Sequence, residues 1–90
     1  MINGNIDEFM DNLYYGQEMW IVYNGEKYFI QGYTKNKIFH LEINKVFKEE
    51  EFWEKFIDKD HQKCVDDFIS AKMFGGKTFW EIENEIEWVD

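Results

Sequence analysis

Arginine and proline are absent from this 90-residue chain, cysteine and serine occur once each, and all ten basic residues are lysine. Without arginine there is no bidentate clamp for phosphate or carboxylate and no arginine finger. The lone Cys64 excludes an intrachain disulfide and a cysteine-based structural zinc site. The single serine, Ser70, lies outside any G-x-S-x-G elbow, so a serine nucleophile has no support. No window approaches 18 apolar residues, so no membrane-spanning helix is expected. The first ten residues lack the lysines and the apolar run of a signal peptide. These absences lead us to expect a cytoplasmic protein without membrane contact.

Acid and aromatic residues are abundant instead. Nineteen acidic residues against ten lysines give a formal charge of -9. The imbalance is uneven, with -2 in residues 1–45 and -7 in residues 46–90. Nucleic-acid binding is disfavoured, because phosphates must be neutralised by basic side chains. A basic protein partner is favoured. Aromatics make up 20% of the chain, which excludes a disordered acidic tail. At 11.1 kDa the chain is expected to be one domain, 1–90, exposing about 5,600 Å².

The expected fold is α+β: an N-terminal helix, a three-stranded antiparallel meander, and two to three C-terminal helices packed on one sheet face. Ile6, Phe9, Met10 and Leu13 are spaced as one helical stripe, with Asn5 as N-cap and Gly16 as stop. Asn24–Gly25 is a strong type I′ hairpin signal and places Trp20 opposite Phe29 and Ile21 opposite Tyr28. A second two-residue loop at Lys35–Asn36 would set Ile30 opposite Leu41. One face then carries Met19, Ile21, Tyr28, Ile30, Phe39, Leu41 and Ile43. The other carries Trp20, Val22, Lys27, Phe29, Gln31, Tyr33, Ile38, His40 and Glu42.

Phe52, Trp53, Phe56 and Ile57 read as a helical stripe. Cys64, Val65, Phe68, Ile69 and Met73 read as another, capped by Asp60 and ended by Gly75 or Gly76. Residues 78–89 are ambiguous. Thr78 and Glu81 form a capping box ahead of a helical stripe, whereas Trp80, Ile82, Ile86 and Trp88 alternate with glutamates as in a strand. Glutamate's propensities favour the helix.

The chemical motifs are weak. Ala71–Thr78, AKMFGGKT, approximates a phosphate loop, but a helical segment precedes it and too little chain follows. Asp58, Asp60 and Gln62 resemble the start of a calcium loop that lacks its glycine and its final glutamate. His61 and Cys64 share a helix face without a third group to orient them. We therefore expect no catalytic residues, metal or cofactor.

Two surfaces remain. The acidic, aromatic stretch of Trp80, Glu81, Glu83, Glu85, Glu87, Trp88 and Asp90, with Asp66 and Asp67, suits a basic protein partner or is simply a solvated face. The cluster of Trp20, Phe29, Tyr33 and His40 is either covered by a helix or presents a ligand site. The leading expectation is a non-enzymatic protein-binding module docking a basic partner through the acidic stretch. Inhibitors and immunity proteins share this profile of size and charge, without any sequence resemblance. The alternatives are a small-ligand domain using the aromatic sheet face, or a homo-oligomer.

Overall fold

Asn5 opens the first helix by accepting hydrogen bonds from the Asp7 and Glu8 N–H groups, and Gly16 closes it at φ 71°. This helix, α1 (Ile6–Tyr15), begins an α+β fold that the computed structural model describes for residues 1–89. There follow β1 (Met19–Tyr23), β2 (Glu26–Lys35), β3 (Ile38–Lys45), β4 (Trp53–Asp58) and α2 (His61–Ser70). The chain ends in α3 (Phe79–Ile82), a 3₁₀ turn (Glu83–Glu85) and β5 (Glu87–Val89). The five strands form one antiparallel sheet in the order β4-β3-β2-β1-β5.

The meander forms as its turns dictate. Asn24 and Gly25 take φ of 52° and 78°, and Trp20 pairs with Phe29, Ile21 with Tyr28 and Met19 with Ile30. The second turn falls at Asn36–Lys37, one residue later than expected, so Ile30 pairs with Ile43 rather than Leu41. A one-residue move of a two-residue turn shifts register by two. Side chains alternate with period two, so both faces keep their residues. All seven expected core-face residues are buried.

Three strands is an undercount. Residues 53–58 form β4, not a helix, and pair with β3 along Leu41–Phe56 and Ile43–Glu54. A short apolar run does not distinguish the two states by period alone, and Phe, Trp and Ile favour strands. The long edge of β3 offers the unpaired backbone groups that draw this segment in. Helix α2 starts at the Asp60 cap as expected but ends at Ser70, well before the Gly75–Gly76 turn. The ambiguous end uses both of its patterns in turn. The Thr78–Glu81 capping box starts a four-residue helix, and Glu87–Val89 then pairs with β1.

The three helices lie on the first sheet face. Phe9 and Leu13 of α1, Cys64, Val65 and Phe68 of α2, and Phe79 and Ile82 of α3 share one core with the inward residues of β1, β2 and β3. Phe9 stacks on Phe79 at 5.2 Å, and Phe68 meets Phe56 edge-on at 5.7 Å. The exposed area is 5534 Å², close to the value expected from mass alone. Among the described residues, no helix is long and apolar enough to cross a membrane.

Candidate functional site

Because all three helices share one side, the second sheet face has no helix over it. The sequence left open whether a helix covers the aromatic cluster; among the described residues none does. Alternation along the five strands places Trp20, Phe29, Tyr33, His40, Trp53 and Ile57 on this face. Tyr33, Trp53 and Ile57 are exposed, the last two by more than half. Trp20 and Phe29 pack together at 5.0 Å, and the His40 ring stacks flat on Tyr33 at 4.8 Å. Val46 and Glu49 close a shallow hollow against Trp20 and Phe29.

Glu42 occupies the middle of this face. Its cross-strand neighbours are Gln31 on β2 and Lys55 on β4. It is only 5% exposed although no helix covers it, because longer side chains fold across it. Gln31 Nε2 and Tyr33 Oη each donate to its carboxylate at 3.3 Å, and Lys55 Nζ stands 4.0 Å away. These are long contacts, at the weak end for charge-assisted bonds. Lys55 also lies over the Trp53 ring at 4.3 Å. Loss of hydration and the Glu42 carboxylate hold the Tyr33 hydroxyl above its usual pKa, so it remains a donor. Lys27 and Lys35 stand towards opposite ends of β2, away from Glu42.

The acidic stretch is more occupied than its sequence suggests. Glu81 accepts from the Thr78 N–H in the capping box, Glu83 receives the Met1 amine at 2.7 Å, and Glu87 accepts from Asn3. Glu85 is exposed. Trp80 is half exposed, but Trp88 turns to the core side and meets Phe9 edge-on at 5.5 Å. Asp66 and Asp67 are engaged on the surface of α2 by Gln62 and Lys63. Asp90 lies outside the described residues.

The other motifs separate in space. Cys64 is fully buried and its thiol points to the Phe39 and Asp58 carbonyls. His61 instead stacks on Phe39 at 4.0 Å and bonds the Tyr14 carbonyl. Burial, and then Asp58, push the Cys64 thiol up, the opposite of an activated nucleophile. Among the described residues, no group of three or more His, Cys, Asp or Glu is arranged to hold a metal ion.

Sequence reasoning found four aromatics of the uncovered face but missed Trp53 and Ile57. Their signal was the alternation Trp53, Lys55, Ile57 against Glu54, Phe56, Asp58. Comparison with protein-family models, curated proteins and solved structures finds no match.

Proposed function

We propose that the protein is a non-enzymatic binding module that docks a basic protein partner through its uncovered sheet face. The observation that carries this reading is Glu42, a carboxylate nearly closed off from water at the centre of an open aromatic surface. Docked aromatic anchors exclude water around a charged contact and strengthen it. A lysine or arginine from the partner would compete with Lys55, whose 4.0 Å approach is too long to contribute much. Trp53 and Tyr33 would flank that cation with ring faces. The overall charge of -9 would steer a basic partner towards the molecule. The acidic stretch then contributes to the approach rather than to the contact, since most of its carboxylates are engaged within the fold.

The test is affinity capture from the native cell, followed by titration of the purified captured protein against variants. Glu42→Gln and Trp53→Ala should each weaken binding by about tenfold or more, as for anchor residues. Glu83→Gln and Glu87→Gln should mainly slow association, and added salt should do the same. A captured partner indifferent to both Glu42→Gln and Trp53→Ala would overturn the reading, as would failure to capture any protein at low salt.

A further inference from the structure

On the opposite, helical side of the sheet, the sequence AKMFGGKT reappears in a different setting. Phe74 and Lys77 exchange backbone hydrogen bonds at 3.0 and 3.1 Å around Gly75 and Gly76, whose φ values are 61° and 83°. This tight turn lies beside the end of the β1–β2 hairpin and forms one side of a half-open cavity of about 450 Å³. That volume lies within the range of small-molecule sites. Its walls come from Tyr23, Tyr28, Phe74 and Gly75, with Lys45 and Lys77 among the lining residues.

Three features give the cavity a chemical preference. First, among the described residues neither Lys45 nor Lys77 is in an ion-pair contact, although Lys77 lies near enough to Glu81 to act on its charge. The one acid in the lining, Glu26, is met by Lys48 at 3.4 Å. Cations therefore outnumber acids locally in a chain of net charge -9. Second, Tyr28 lines the cavity and is 5% exposed; among the described residues its hydroxyl has no hydrogen-bond partner, and it is not sealed off from solvent. Burial, and then Glu26, hold that hydroxyl above its usual pKa, which keeps it a donor. Third, Tyr23 and Tyr28 both meet Phe74 edge-on, at 5.7 and 5.5 Å; Phe74 and Tyr28 are buried, and the half-buried Tyr23 is the ring that a flat ligand can reach. A Cβ added at Gly75 or Gly76 would meet nothing, so the turn leaves that side open.

We propose that this cavity binds a small aromatic organic anion, with its ring against Tyr23 and its charged group towards Lys45 and Lys77. The anionic group is a carboxylate or a phosphate monoester. The inference stands independently of the docking face.

The experiment is an amide chemical-shift titration of the intact protein with phenyl phosphate, benzoate, phenol and inorganic phosphate. Phenyl phosphate or benzoate should move the amides of Tyr23, Lys45, Gly75, Gly76 and Lys77 and saturate with a Kd below about 1 mM. Phenol and inorganic phosphate should bind at least about tenfold more weakly, each lacking one half of the recognition. The Lys45→Gln, Lys77→Gln double variant should lose about tenfold or more, with unchanged circular dichroism. The proposal fails if neither aromatic anion saturates by about 10 mM. It also fails if phenol or inorganic phosphate binds equally well, or if the double variant binds as the native chain does.

Discussion

Gly16 and Gly32 meet backbone to backbone. A Cβ built on Gly32 would stand 2.7 Å from the Gly16 Cα and equally close to the Phe39 ring, while the Gly32 N–H donates to the Gly16 carbonyl at 3.1 Å. The contact fastens the end of α1 to β2 on the helix-bearing face of the sheet.

Gly32→Ala should therefore be among the most damaging small substitutions. Neither backbone nor a core phenylalanine can yield cheaply, and overpacking of this kind costs about 3 kcal/mol. Thermal melting should show a fall on the order of 10–20 °C. Gly25→Asn is the control: its Cβ meets nothing, and asparagine tolerates the positive φ, so the loss should stay under about 1 kcal/mol. Equal losses at the two positions would contradict the close approach.

Strand β4 makes a second test. If residues 53–58 alternate, Phe56→Ala removes a ring packed on Phe68 and should cost about 3 kcal/mol. Trp53→Ala removes a side chain that is more than half exposed and should change stability by less than about 1 kcal/mol. A helix burying its whole stripe would make both changes costly. Urea unfolding of the two variants decides between the pictures.

The elements legible in the sequence were those whose signals are local and chemically specific. Asn5 and Asp60 are caps, Asn24–Gly25 is a turn that few other residues can make, and Thr78–Glu81 is a capping box. Where the signal was a short apolar run, the answer depended on partners distant in sequence. Phe52 to Ile57 fits a helix by spacing and becomes a strand because β3 offers an edge. Glu87 to Val89 becomes a strand because β1 does. The site followed the same rule. Trp20, Phe29, Tyr33 and His40 were found because they lie in the hairpins. Their exposure stayed open because it depended on where helices pack, and Trp53 and Ile57 were missed with their strand.

Cys64 should be inert in the folded protein. Its thiol is fully buried, has the Phe39 and Asp58 carbonyls at 3.8 and 3.9 Å as acceptors for its one proton, and is raised in pKa chiefly by burial. Thiol reagents at pH 8 should modify it only as fast as the chain opens, and at once in denaturant. The sign of the linkage follows. The fold holds the neutral thiol, so its contribution is whole below the unfolded thiol's pKa and declines as pH rises above it. Cys64→Ala should lack that alkaline component. Rapid native labelling would show the site to be open.

Charge repulsion sets the expected response to salt. With -9 overall and -7 in the second half, Glu49, Glu50 and Glu51 alone form a run of three like charges. Only four ion pairs offset this field among the described residues, and three of them are long or exposed. Screening over a Debye length of about 8 Å at physiological ionic strength should relieve more repulsion than attraction. The melting temperature should rise between low salt and about 150 mM. A fall would mean that the ion pairs outweigh the excess charge.

Glu81 gives the opposite pH behaviour from Cys64. Its carboxylate accepts the Thr78 N–H at 3.1 Å, while the Thr78 hydroxyl accepts the Glu81 N–H at 3.3 Å. The backbone bond first, and then the side-chain bond, hold its pKa below the ordinary carboxylate value, aided by Lys72 and Lys77. Its stabilising contribution is therefore complete above the unfolded glutamate's pKa and fades as pH falls through the lowered folded value. The Glu81 carboxyl carbon should titrate below that of an unperturbed glutamate. Glu81→Gln keeps the cap geometry without the proton, and should remove this part of the acid destabilisation. Thr78→Ala removes the reciprocal bond and should cost about 1 kcal/mol near neutral pH. If Glu81 titrates at the ordinary glutamate value in the native chain, the capping box is not formed in solution, and the four-residue α3 loses the interaction that starts it.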